Sequence, residues 1–251
     1  MRASWWLPLA AAALAVGAWA LLAGQLNPVL LPGPLAVLQA AWDTREGLLE
    51  ATVVTGLSAL VGLLLAVVLG MLGATPFQLS RWVELALTPY ALLVQTVPIV
   101  AVAPLLVVWL GYGPPVAVAS AAIVAFFPLL TSANLGLRSA SSAQVELLQL
   151  YGASWTQTLW KLRLPAALPF IFGGLRTAVG LAVIGAVVGE FVGSTGTPAC
   201  LGYLVLQSAR SADTGLTFAT IGVTALLALV LFGAVRLAER HMIGSWHGEQ
   251  R

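Results

Sequence analysis

Runs of about 20 apolar residues, parted by short polar stretches, restrict this chain more than any other feature. A helix rises 1.5 Å per residue, so a run of that length crosses the roughly 30 Å of hydrocarbon in a bilayer. Six runs qualify: Trp5 to Leu26, Thr52 to Ala74, Leu85 to Leu110, Pro115 to Leu137, Pro169 to Phe191 and Leu216 to Leu237. The third carries Pro89, Pro98 and Pro104. It is either a kinked helix or a broken one whose freed carbonyls need other partners. The first run follows Arg2, as a signal sequence would, but its apolar stretch exceeds the roughly 7–15 residues of such a segment and reads as a retained helix. The expected fold class is all-α, a polytopic membrane protein with about six transmembrane helices and one domain over 1–251.

Composition agrees. The 251 residues are 60% hydrophobic and 8% charged, where soluble domains run to roughly 45–50% apolar and about 25% charged. A net charge of +2 is too weak to suggest nucleic-acid binding. The single cysteine, Cys200, allows no intramolecular disulfide and no cysteine-based metal site. His241 and His247 both fall in the C-terminal tail and read as solvated. No metal-ligand cluster, Ser/His/Asp set or carboxylate pair suited to hydrolysis stands out, so neither a catalytic site nor a resident cofactor or metal is expected.

Charge placement gives a topology. If the N-terminus is inside, the inner segments hold Arg2, Arg81, Arg138, Lys161, Arg163, Arg236, Arg240 and Arg251, and the outer ones only Arg45 and Arg210. The positive-inside rule then places both termini in the cytoplasm. The outer loops are about 27–51, 111–114 and 192–215; the inner loops are about 75–84 and 138–168. Trp5, Trp6, Trp42, Trp82 and Trp109 sit near span ends, where tryptophan anchors at the interface.

The long inner loop is the informative segment. Residues 141–165 read SSAQVELLQLYGASWTQTLWKLRLP. Ser141 and Ser142 can cap a helix holding Leu147, Leu148, Leu150 and Tyr151, and Gly152 ends it. A second periodic stretch, Trp155, Leu159 and Leu162, runs to a proline stop at Leu164-Pro165. Lys161 and Arg163 form a basic end that suits headgroups or an acidic partner. On physics alone the unit is either an interfacial helix pair or a docking element.

Glu146 lies six residues before Gly152, with Leu147-Leu148 between them, Ala153 after, and Leu164-Pro165 further on. This resembles the Glu-Ala-Ala-x-x-x-Gly and Leu-Pro pattern in the cytoplasmic loop of binding-protein-dependent ABC importer permeases, with leucines in place of the two alanines. Gln95-Thr96-Val97-Pro98, Ala103-Pro104-Leu105-Leu106, Trp109-Leu110-Gly111-Tyr112-Gly113 and Gly189-Glu190-Phe191 are similar to the branch that imports nitrate, sulfonates, taurine, thiamine precursors and riboflavin. Where that branch often has Gly-Leu-Gly, this chain has Cys200-Leu201-Gly202.

The resemblance implies a type I importer permease in a bacterial inner membrane. It implies pairing with a second permease copy, alike or similar, around a central path. An ABC ATPase subunit would hydrolyse ATP and receive the coupling loop through Glu146, Leu147, Leu148, Gly152, Ala153, Leu164 and Pro165. An extracytoplasmic solute-binding protein would deliver the substrate, a vitamin or vitamin precursor of riboflavin or thiamine-pyrimidine type, or a small organic anion. The chain itself lacks a P-loop: its one lysine, Lys161, follows Trp160 and precedes Leu162.

Polar residues within the spans are the path candidates, because charges in lipid are costly and face protein or water. Gln95 and Thr96, beside Pro98, line the path or bond between helices; Asn134 has the same two readings. Arg176 either snorkels to headgroups or pairs within the bundle. Glu190, about 21 Å along the same helix, is either a gate contact or solvated at the outer mouth. Gly185, Gly189 and Gly193 permit close helix packing, at a dimer seam or inside the bundle. The rival functions are a secondary transporter, an intramembrane enzyme and a structural subunit; the first would need coupling groups near the midplane.

Overall fold

The computed structural model describes residues 6–78, 80–195 and 199–243, so Arg2, Trp5, His247 and Arg251 lie outside the described residues. Eleven helices follow one another with no strand among the described residues. They are α1 (Trp6–Gln25), α2 (Pro34–Asp43), α3 (Arg45–Ala74), α4 (Arg81–Thr96), α5 (Ile99–Leu110), α6 (Pro114–Leu137), α7 (Ser142–Leu150), α8 (Trp155–Thr158), α9 (Leu164–Gly193), α10 (Leu201–Arg210) and α11 (Thr214–Ile243). Four continuous helical stretches among these residues are long and apolar enough to cross a membrane: Arg45–Gln78, Pro114–Leu137, Trp155–Gly193 and Thr214–Ile243. They correspond to the second, fourth, fifth and sixth runs. The first run gives the 20-residue α1, and the third gives two shorter helices, α4 and α5.

The third run is therefore broken. Proline disfavours the α region for the residue before it, and Val97 sits at φ −72°, ψ 119°, with Pro98 itself extended at ψ 120°. Pro89, Pro104, Pro128 and Pro169 stay inside helices.

At the core, α6 packs between α3 and α9. Its contact surfaces are rich in alanine and glycine: Ala59 and Ala66 of α3, Ala121 and Ala125 of α6, and Ala178, Ala182 and Ala186 of α9 are all within 1% of full burial, among Leu63, Leu129, Val179 and Val183. Lipid supplies no hydrophobic force between helices, so small residues that admit close backbone approach set the packing. Gly189 shows how close. A Cβ there would lie 2.7 Å from the Ala117 Cα and 2.9 Å from the Val116 carbonyl oxygen. Gly185 and Gly193 meet α6 in the same way, so this glycine series faces the bundle interior.

One end of the bundle holds the C-termini of α3, α6 and α11 with α7; the other holds α10. Two helices arise inside stretches expected to be loops. α2 starts at Pro34, with no N–H to lose at a first helical position. α10 starts after an extended Cys200.

Candidate functional site: an exposed knob and a broken-helix cleft

At the α7 end, the segment 141–165 forms the helix–turn–helix that its periodicity implies. Ser141 and Gln144 make a capping box at the start of α7, and Ser154 and Gln157 make another at α8. Between them, the Gly152 N–H donates to the Gln149 carbonyl (2.9 Å) and the Ala153 N–H to the Leu148 carbonyl (3.0 Å). This is a Schellman closure, and it needs a left-handed residue: Gly152 is at φ +76°. The Leu148, Gly152 and Ala153 positions thus have a local reason, which is to stop α7 and turn the chain.

α7 buries none of its residues. Leu147 is 54% exposed, Leu150 85% and Tyr151 83%, with Trp155 and Trp160 exposed on the following stretch. Glu146 is exposed, and Leu164 and Pro165 are half-buried at the foot of the knob. Two details differ from expectation. Pro165 does not stop a helix. A π turn over Leu159–Arg163, with the Leu164 N–H reaching the Leu159 carbonyl, widens the helix just before the proline. The wider turn relieves the clash of a proline ring with the carbonyl four residues back, and helix continues from Trp155 to Gly193. Nor is Arg163 a surface charge beside Lys161. Its guanidinium donates to Gln78 Oε1 at 3.2 Å.

That bond belongs to a network tying the α7 end together. Gln78 Nε2 donates to Asn134 Oδ1 (2.9 Å). Arg138 pairs with Glu84 (2.9 Å) and donates to the Phe77 carbonyl (2.9 Å). Asn134 thus bonds between helices, and it also lines a cavity of about 200 Å3 with Glu84, Thr88 and Thr131. Arg176 likewise pairs within the bundle, with Glu239 of α11 at 3.6 Å.

The α4–α5 break opens a cleft of about 280 Å3, lined by Gln95, Val97, Ile99, Ile123, Val124, Phe127, Pro128 and Leu181. Among the described residues no charged side chain lines it. Pro128 has no N–H, so the Val124 carbonyl loses its helical donor at this same wall. Thr96 is exposed beside it, and its hydroxyl donates to the Leu93 carbonyl of its own helix (2.8 Å). Pro98 forms the break.

At the α10 end, Glu190 is 5% exposed and so is not solvated. Thr55 Oγ1 donates to its Oε2 at 3.0 Å, and the Gly202 N–H donates to the same oxygen at 2.8 Å. Cys200, 3% exposed, lies beside it. Burial, and then the neighbouring Glu190 carboxylate, push the Cys200 thiol above its ordinary range. Sequence reasoning named Glu190 but missed Thr55 and Gly202, 135 and 12 positions away from it. The departure at Cys200-Leu201-Gly202 was the available signal.

A family model for the binding-protein-dependent transport system inner membrane component matches residues 62–244. The chain is similar to the formylaminopyrimidine transport permease protein ThiX of Halalkalibacterium halodurans, 34% identical over 89% of this chain and 88% of that one. It is also similar to the riboflavin transport system permease protein RibX of Chloroflexus aurantiacus, 37% identical over 85% of this chain and 80% of the relative. Other relatives are named for aliphatic sulfonates and for taurine. Its fold is like that of a chain of the inward-facing MetNI methionine ABC transporter, with a TM-score of 0.63 at 18% identity over 80% of this chain and 96% of the other. A multi-pass helical architecture, the family match across the knob and the cleft, and relatives matched over most of their length agree: the chain belongs to the binding-protein-dependent inner membrane component family and is an ABC importer permease subunit.

Proposed function

We propose that this permease couples to its ATPase through the knob, with Glu146, Leu147, Leu148, Gly152, Ala153, Leu164 and Pro165 forming or seating the docking surface. Family membership implies a partner ATPase that hydrolyses ATP, a solute-binding protein and a second permease chain. The observation that carries the assignment is that α7 buries nothing of its own bundle yet exposes Leu147, Leu150 and Tyr151 together. Apolar side chains grouped on a water-facing turn mark an interaction site. The proposed orientation puts the α7 end in the cytoplasm: Arg138, Lys161, Arg163, Arg236 and Arg240 gather there, against Arg45 and Arg210 at the other end. Trp19, late in α1, stacks on Phe218, early in α11, at 6.3 Å. That contact supports an α1 running antiparallel to α11, with its start at the α7 end, in keeping with the proposed cytoplasmic termini. The whole chain acts as a single permease domain.

The test is co-purification from detergent-solubilised membranes. Wild type is expected to retain a P-loop ATPase; Glu146→Lys should lose it at the wild-type thermal midpoint, and Gly152→Asp should lose it while still folded, its midpoint lowered by the strain of a side chain at positive φ. Retention by both folded variants rejects the knob as the docking element.

The cleft at the helix break is the proposed transit point for substrate, with Gln95 as its polar contact and Val97–Pro98 as the break that admits it. Its lining supports a neutral heterocycle over a small organic anion. An anion entering an apolar cleft without a cation loses hydration worth several kcal/mol, whereas the Gln95 amide, the Val124 carbonyl and the Phe127 ring suit the edge and face of a planar, hydrogen-bonding ring. A vitamin or vitamin precursor of riboflavin or pyrimidine type is therefore the proposed cargo. Uptake by cells carrying the whole system is expected to be competed by unlabelled riboflavin or an aminopyrimidine, and not by taurine. Competition by taurine alone overturns the choice.

A further inference from the structure

The end of the bundle opposite the knob holds a polar arrangement that coupling and transit leave unused. α10 begins at Cys200, whose side chain makes no capping bond to the helix. Its first two N–H groups are instead satisfied from other helices. The Leu201 N–H donates to Thr55 Oγ1 of α3 at 2.9 Å, and the Gly202 N–H donates to Glu190 Oε2 of α9 at 2.8 Å. The Thr55 hydroxyl in turn donates to that carboxylate oxygen at 3.0 Å. A carboxylate at a helix N-terminus also meets the positive end of the helix dipole. Only glycine fits at 202, where a Cβ would lie 2.6 Å from the Glu190 Cβ and 2.7 Å from the Val187 carbonyl oxygen.

Two further features belong to the same element. Glu190 Oε1 is buried without a hydrogen-bond partner, and Glu190 shares with Val54, Ser58, Ser194 and Cys200 a cavity of about 20 Å3, room for one water. At the far end of α10, Ala212 is held at φ +57°, the one non-glycine residue at positive φ among the described residues. Such strain persists only where the surroundings enforce it. A ten-residue helix is thus fixed by a borrowed cap at one end and a strained turn at the other.

We propose that α10 is a strap over the outer end of the bundle, clasped by Glu190 and Thr55 and hinged at 211–213, with Glu190 as a positioning residue that caps α10. Opening the clasp frees α10 and uncovers Cys200 while α3, α6 and α9 stay packed. The clasp is the same whichever way the chain crosses the membrane; only its outer placement rests on the orientation proposed above.

Cys200 is the chain's single cysteine and so reports on the strap without any engineered probe. The experiment is alkylation by N-ethylmaleimide of the full chain, purified with its ATPase in nanodiscs, followed by intact mass. Wild type should label slowly. Glu190→Ala and Thr55→Val each remove a buried hydrogen-bonding partner and should label roughly 10- to 100-fold faster. Glu190→Gln keeps an acceptor for Gly202 and Thr55 and turns its amide nitrogen to the cavity, so it should stay near wild type, as should Thr55→Ser. Glu190→Gln and Glu190→Ala both remove the carboxyl group beside the thiol, so a difference between them reports on the clasp and not on thiol reactivity. The proposal is overturned if Glu190→Ala and Thr55→Val, still bound to the ATPase, label no faster than wild type. It is equally overturned if Glu190→Gln labels as fast as Glu190→Ala. A permeant reagent makes the result independent of orientation, so failure here leaves the coupling proposal standing.

Discussion

Gly189 and Gly180 lie on the same helix but face opposite demands. A Cβ at 189 would run into the backbone of α6 at 2.7 Å, whereas nothing lies within 4 Å of one at 180. Gly189→Ala is therefore expected to lower stability by roughly 1–3 kcal/mol through overpacking. Gly180→Ala should raise it by up to about 1 kcal/mol, because alanine is the better helix former. Thermal unfolding in detergent, followed by tryptophan fluorescence, distinguishes them; a shift of the same sign for both would contradict the packing described. Gly152 is a third case. It needs positive φ but has open space around it, so Gly152→Ala should cost about 1 kcal/mol of strain and no clash. The small-residue spacing at 185, 189 and 193 was legible in the sequence as close packing. Which helix it packs against was not, because a period along one helix does not name its neighbour.

Among the elements, the turn chemistry of the knob was the most legible part. Serine caps, a glycine C-cap and periodic leucines act within a few residues of one another, so local rules suffice. The prolines of the third run left a kink or a break open, and the structure breaks only at Pro98; the stop expected at Pro165 failed. The failure has a local cause: a π turn makes room for the ring, and no propensity rule signals that turn. The network at the α7 end was out of reach for a different reason. Gln78 bonds Asn134 across 56 positions and Arg163 across 85, and only the packed bundle brings them together. Removing its centre tests it. Gln78→Leu should orphan Asn134 and Arg163 and lower stability by roughly 1–3 kcal/mol. Thr96→Val, whose hydroxyl only returns to its own helix, should stay within about 0.5 kcal/mol. Equal effects in the same unfolding assay would mean that the network does not hold the elements in register.

As a whole molecule, the permease divides its work between two ends. An alanine- and glycine-lined core of α3, α6 and α9 supplies a rigid shaft. The α7 knob sits at one end, joined by the turn at 151–154 to a helix that runs on into that shaft from Trp155 to Gly193, and the proposed strap α10 lies at the other. On the proposed coupling, a force on the knob would pass through that turn and then along one helix, past the cleft wall at Leu181. Coupling through the knob is the central claim, and ATP-driven uptake into proteoliposomes holding the permease, its ATPase and its binding protein tests it most directly. Leu150→Asp and Tyr151→Asp change exposed side chains that support nothing in the bundle, so both variants should fold and insert as wild type does. The account predicts that ATP-dependent uptake falls at least tenfold in each while the isolated ATPase keeps its own activity. Wild-type uptake by both variants would contradict it.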